Sequence, residues 1–233
     1  MKLVIQIPAW NEEEHLAEAV AALPREVAGF DEVEFLVIDD GSDDRTAEVA
    51  RDVGATAVRL PVHRGLAVAF AAGIDAALER GADVIVNTDA DGQYDARDIP
   101  ALVAPILDGS AQMVIGDRQV HTIRHFSAAK KILQKLGSWV VRKLSRTEVT
   151  DATSGFRAVS RAAALKLHVF TRFTYTLETI LQAGEAGLKV VSIPVRTKAE
   201  ETRPSRLFSS NTGYVLRSLE SIARIVVLYN PLR

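Results

Sequence analysis

Short apolar runs alternate with helix-spaced segments through the first half of this chain, and nearly every run stops at an acidic or polar cluster. LVIQIP (3–8), VEFLVIDD (33–40), TAVRLP (56–61), ADVIVNTDA (82–90) and MVIGD (113–117) read as strands. Between them, 11–23 places Leu16, Ala19, Val20 and Leu23 on one helical face. Asn11 is expected to cap that helix, with the following glutamates at the positive end of its dipole. A turn and helix follow Asp40 and stop at Gly54. An Ala-rich helix spans 65–80, and another lies near 98–108. Such alternation folds into a parallel sheet covered by helices on both faces. Ligands of open α/β sheets sit outside the C-terminal strand ends. Three clusters fall there: Pro8–Glu12, Asp39–Asp44 and Asp89–Gln93.

After residue 118 the pattern changes. A helix near 127–144 carries Ile132, Leu133, Leu136, Val140 and Leu144 on one face with basic residues beside them. DATSGFRAVS, a helix near 174–186, the strand KVVSIPV (189–195), a polar stretch and a final helix over 211–229 follow. With no repeat or linker, the 233 residues suit a single domain: a nucleotide-binding half (1–118), an acceptor-side half (119–210) and a membrane-proximal helix (211–233). No run is long and apolar enough to span a bilayer, the N-terminus does not read as a signal peptide, and there is no cysteine. A cytoplasmic protein, peripheral at a membrane face, fits these features. Charge is unevenly placed: residues 1–54 hold 14 acidic against 4 basic residues, whereas 118–146 contain no Asp or Glu. That block holds Arg118, Arg124, Lys130, Lys131, Lys135, Arg142, Lys143 and Arg146. It suits phosphate or an anionic surface; the bland alternative is a solvated helix face. Nucleic acid is not expected, since only Phe126 and Trp139 interleave the block.

DVIVNTDADGQYD (83–95) is the most pointed feature. In extended chain, Asp89 and Asp91 point to the same side and repel, a cost that a divalent cation would offset. No G-x-G-x-x-G follows the first strand, and G-x-x-x-x-G-K-[ST] is absent, so dinucleotide and P-loop sites are excluded.

IPAWNEEEHL, VIDDGSDDRT, NTDADGQYD, GDR and DATSGFR occur in the order seen in family 2 glycosyltransferases of the GT-A fold, which the whole chain resembles. The branch it resembles includes dolichyl-phosphate mannosyltransferases and polyprenyl-phosphate glycosyltransferases. The resemblance implies a Rossmann-like, mostly parallel central sheet flanked by helices, with amphipathic helices toward the C-terminus. It implies that Asp89, Asp91 and Gln93 hold Mg²⁺ or Mn²⁺ against a nucleotide-sugar donor. Hard oxygen ligands suit both ions. Pro8, Ala9, Trp10, Glu12, Asp39, Asp40, Asp89 and Ala90 are the implied donor site. Trp10 either stacks on the base or is a packing residue. His63, where the family has Asn, is a donor-contact candidate, and Glu178 resembles an acid near the sugar. Arg118, Lys130, Lys131, Arg203 and Arg206 are candidates for the acceptor phosphate. Asp91, Arg118, Asp151 and Arg206 are the residues expected to carry catalysis. Asp151, Ser154, Gly155, Phe156 and Arg157 match a motif that walls the sugar from the acceptor.

The implied activity is inverting, metal-dependent hexosyl transfer from GDP-mannose or UDP-glucose to a polyprenyl phosphate, on an anionic membrane surface. An ionised phosphate needs no general base, whereas a hydroxyl acceptor would need one, with Asp151 the candidate. The rival readings are a transferase with a small polar or phosphorylated acceptor and a non-catalytic nucleotide-sugar-binding protein.

Overall fold

The computed structural model describes residues 1–120, 128–171 and 175–198. Seven strands are β1 (Lys2–Ala9), β2 (Glu32–Asp39), β3 (Thr56–Arg59), β4 (Val84–Asn87), β5 (Met113–Asp117), β6 (Arg157–Ser160) and β7 (Val190–Pro194). They form one sheet in the order β3-β2-β1-β4-β6-β5-β7. The helices are α1 (Leu16–Ala21), α2 (Thr46–Asp52), α3 (Leu66–Glu79), α4 (Ile99–Leu107), α5 (Ala128–Ser145), α6 (Arg161–Ala164) and α7 (Tyr175–Glu185). This is the mostly parallel, helix-flanked α/β sheet that the alternation predicts.

β1 shows why the register holds. Leu3, Ile5 and Ile7 join the core on one face, with α1, α2 and α4. Val4 joins the core on the other, with α3, α5, α6 and α7. Fully burying each such side chain contributes roughly 1.5–3 kcal/mol. A one-residue slip would swap the two sets, so the pairing is strongly specified. Ala9 lies beside Asp39, and Gln6 beside Asn87, in the parallel ladders of β1 with β2 and β4. The ends of three adjacent strands therefore meet at one edge.

One expectation is corrected, and one strand has no counterpart in the sequence pattern. The first helix begins at Leu16, not at Asn11. Asn11 adopts a left-handed φ of 54°, and its Oδ1 accepts from Asp43 N at 2.9 Å instead of capping α1. The amides of Asn11, Glu12 and Glu13 donate to Ser42 Oγ, Thr46 Oγ1 and Asp44 Oδ2. The second loop thus satisfies donors that a helix would have left unpaired. Residues 157–160, to which the sequence pattern assigns no element, form β6, which pairs antiparallel with both β4 and β5. Four residues headed by an arginine carry no strand signature; two neighbouring edges impose the conformation. The final helix over 211–229 lies outside the described residues.

Candidate active site

The first two clusters lock together. Asp40 N donates to Ala9 O at 2.9 Å, which ties Pro8 and Ala9 to the end of β2. Asp39 is fully buried. Its Oδ1 accepts from Ser42 N at 2.9 Å, while Oδ2 has no hydrogen bond and lies 3.4 Å from Arg59 Nε. Asp40 Oδ1 accepts from Arg64 N at 2.8 Å and Oδ2 from Gly65 N at 2.7 Å, with His63 Nδ1 at 2.9 Å. Gly65 sits at φ 94°, where a side chain would be strained. His63 stacks on Trp10 with ring centroids 4.1 Å apart, so one face of the indole is already covered. Glu12 anchors its loop through its amide to Thr46. Asp40 thus builds the loop before α3, and Asp39 keeps a buried oxygen in need of a donor.

The third cluster differs. β4 ends at Asn87, so Asp89 and Asp91 share no strand face; the Ala90–Asp91 turn, with Gly92 at φ 65°, brings the second carboxylate round. Asp91 is exposed, and its Oδ1 accepts from Gln93 N at 2.9 Å. Ala90 is buried between them. Burial, then the Asp91 charge, push the Asp89 carboxyl up to about 7, with Arg118 and Arg157 pulling it down. A half-buried carboxylate beside a second one, with a side-chain amide at Gln93, is a hard oxygen donor set that fits Mg²⁺ or Mn²⁺. Among the described residues no group of three Asp, Glu, His or Cys forms a metal cluster, so other ligands would come from the substrate or Gln93.

Behind Asp89 runs a buried polar chain with no motif of its own in the sequence. Gln6 Nε2 donates to Asn87 Oδ1 at 2.9 Å, and Asn87 Nδ2 donates to Gly155 O at 2.8 Å and Tyr175 Oη at 3.1 Å. Its signal was visible as polar residues inside LVIQIP and VIVN. A Cβ on Gly155 would lie 3.1 Å from Asp89 Oδ1 and 3.0 Å from Tyr175 Oη, so the glycine makes the seat for the carboxylate. Phe156 stacks on Tyr94 at 5.0 Å. Arg157 is buried with its guanidinium over the Tyr175 ring at 5.2 Å; it donates to Thr179 Oγ1 and to Ser154 O.

Arg118 and Asp151 form a fork. Arg118 Nε and Nη2 donate to Asp151 Oδ2 and Oδ1 at 2.7 and 2.9 Å, and Nη2 also reaches Thr153 Oγ1 at 2.7 Å. Burial would raise the Asp151 carboxyl, but the adjacent guanidinium outweighs it and holds the group below the usual carboxylate range. Glu178 is fully buried on α7. Its oxygens accept from Phe170 N, Thr171 N and Thr171 Oγ1 at 2.9–3.0 Å, so it anchors the loop before α7. Lys131 is partly exposed on α5. Arg203, Arg206 and the side chain of Lys130 lie outside what the structure describes.

A cleft of about 560 Å³ opens between α1 and residues 88–97, with Asp89 in its wall. The chain matches the family described as glycosyl transferase family 2 over residues 4–167. It belongs to that family. A polyprenol monophosphomannose synthase of Mycolicibacterium smegmatis is 30% identical over 90% of this chain and 82% of that protein. An undecaprenyl-phosphate mannosyltransferase of Micrococcus luteus is 28% identical over 91% and 90%. A solved glucosyl-3-phosphoglycerate synthase from Mycobacterium tuberculosis, in complex with Mn²⁺, UDP and phosphoglyceric acid, superposes with a TM-score of 0.71. That match covers 94% of this chain and 78% of the other at 23% identity, and so shows a shared GT-A-type fold. The protein is therefore a family 2 glycosyltransferase.

Proposed function

We propose that this family 2 enzyme transfers a hexose from GDP-mannose or UDP-glucose to a polyprenyl phosphate, with inversion. The observation that carries the acceptor class is the Arg118–Asp151 fork. A carboxylate held below its usual range by a bidentate arginine is a poor proton acceptor, and Asp151 was the candidate base for a hydroxyl acceptor. A phosphate monoester is ionised near neutral pH and needs no base. The enzyme's task is then to align two anions and screen their repulsion. Relatives named for polyprenol and undecaprenyl phosphate support this reading.

In this reading Asp39 Oδ2 accepts a base or ribose donor, and Trp10, stacked on His63, borders the donor site. Asp89, Asp91 and Gln93 would hold Mg²⁺ or Mn²⁺, which when bound supplies neutralising charge on the departing diphosphate. Arg118, fixed by Asp151 at the end of β5, presents a guanidinium to the acceptor phosphate, joined by Lys130, Lys131, Arg203 and Arg206. α5 supplies the surface contact: Leu136 and Trp139 are 54% and 48% exposed on a helix without an acidic residue. Apolar side chains bordered by lysines suit an anionic membrane interface. No described helix is long and apolar enough to cross a membrane. A peripheral position at the cytoplasmic face follows from this reading.

The test is transfer of labelled mannose and glucose from the two donors to a polyprenyl phosphate with Mg²⁺ or Mn²⁺. Label entering the organic phase from one donor, and lost with EDTA, is the expected result. Metal-dependent donor hydrolysis without lipid labelling would reject the lipid acceptor and favour a small phosphorylated one.

A further inference from the structure

Residues 196–198 run antiparallel beside the acidic turn. Lys198 N donates to Gln93 O at 2.9 Å, and Asp95 N donates to Arg196 O at 3.1 Å. Tyr94 bridges Thr197 between them. The main chain at Lys198 is thereby fixed to the acidic turn itself. Its side chain passes Gly92, whose missing Cβ would lie 3.4 Å from Lys198 Nζ. The ammonium ends 3.3 Å from Glu18 Oε1 on α1, across the cleft that also contains Thr88 and Asp89. Both side chains are mostly exposed, at 58% and 81%, so the pair is weak and screened by water. The other cations of the cleft are engaged more firmly: Arg97 forks onto Asp95, and Arg196 onto Asp98.

We infer that Lys198 is a substrate-contacting residue, resting on Glu18 in the free protein and moving to the donor diphosphate when it binds. The inference rests on the nucleotide-sugar reading above. Two carboxylates and a diphosphate carry more negative charge than one divalent cation neutralises. A compact ammonium on a flexible four-carbon stem, whose own backbone amide is bonded to Gln93 O of the turn, is placed to supply the difference. Gly92 leaves its path open. Glu18 is then a competitor for the ammonium, and the two ends of one ion pair have opposite effects on binding.

Calorimetric titration of the full chain with UDP and GDP in Mn²⁺, and with UMP and GMP as controls, tests this. Lys198→Met is expected to weaken diphosphate binding about fivefold or more and leave monophosphate binding within about twofold. Glu18→Gln is expected to strengthen diphosphate binding by up to about fivefold. Melting temperatures of both ligand-free variants report folding separately. Weaker binding in Glu18→Gln, unchanged binding in Lys198→Met, or equal loss of mono- and diphosphate affinity overturns the inference. Wild-type protein that binds neither nucleotide instead overturns the donor reading beneath it.

Discussion

Two acidic pairs stand at the ends of neighbouring strands, and their environments have little in common. Asp39 and Asp40 close β2 among donors: Ser42 N, Arg64 N, Gly65 N and the His63 ring all reach them. Asp89 and Asp91 follow β4, and only Gln93 N reaches either of them among the described residues. The first pair is mainly architecture, with one oxygen left over. The second is a concentration of negative charge that the fold maintains at a cost. Local residue type therefore says less about function than the count of donors nearby.

The sharpest way to break the comparison is Asp91→Ala. Asp91 is exposed and supports only its own turn, so the melting temperature should hold. Transfer should fall about a thousandfold, the scale of a lost metal contribution of several kcal/mol. Steady-state kinetics beside calorimetry checks both halves. Unfolding of this variant would mean that the second pair is architecture too.

A paired carboxylate should behave in the opposite way. Asp151→Asn leaves Arg118, 12% exposed, without its counter-charge. A loss of about 3 kcal/mol in urea unfolding is expected. The native Asp151 carboxyl lies below the ordinary carboxylate range, so its stabilisation is present above the unfolded value and disappears as pH falls through the folded one. The acid limb of the wild-type stability curve should therefore be steeper than that of the variant.

Asp40→Ala removes the acceptor of two backbone amides and should cost about 1–3 kcal/mol, while Mn²⁺ affinity stays near wild type. Mn²⁺ binding followed by electron paramagnetic resonance would contradict this if it fell with stability. The smallest effect belongs to Gly155→Ala. Its new methyl would press on Asp89 Oδ1 at 3.1 Å, and Mn²⁺ affinity should drop by about tenfold with little change in melting temperature.

Much of the fold is legible because hydrophobic periodicity is a local property. The apolar runs of β1 to β5 and β7, and the helices α2, α3, α4, α5 and α7, fall within a few residues of where the pattern puts them. The three strand-end clusters were legible for the same reason, since a parallel sheet places every such end on one edge. β6 was not, because RAVS becomes a strand only between the edges of β4 and β5. The start of α1 was misread because Ser42, Asp44 and Thr46, some thirty residues away, take up the amides at 11–13.

By itself, then, the amino-acid order determined the alternation, the sheet edge at which the three polar clusters gather and the donor atoms they carry. Only the tertiary structure decided which carboxylates are occupied. It committed Asp40 to a loop, Glu178 to the turn before α7 and Asp151 to Arg118. It seated Asp89 against Gly155 and set Lys198 beside the turn that carries Asp91. Donors and acceptors are counted in three dimensions, and the partners that settled each case lie between 7 and 105 residues away in the chain.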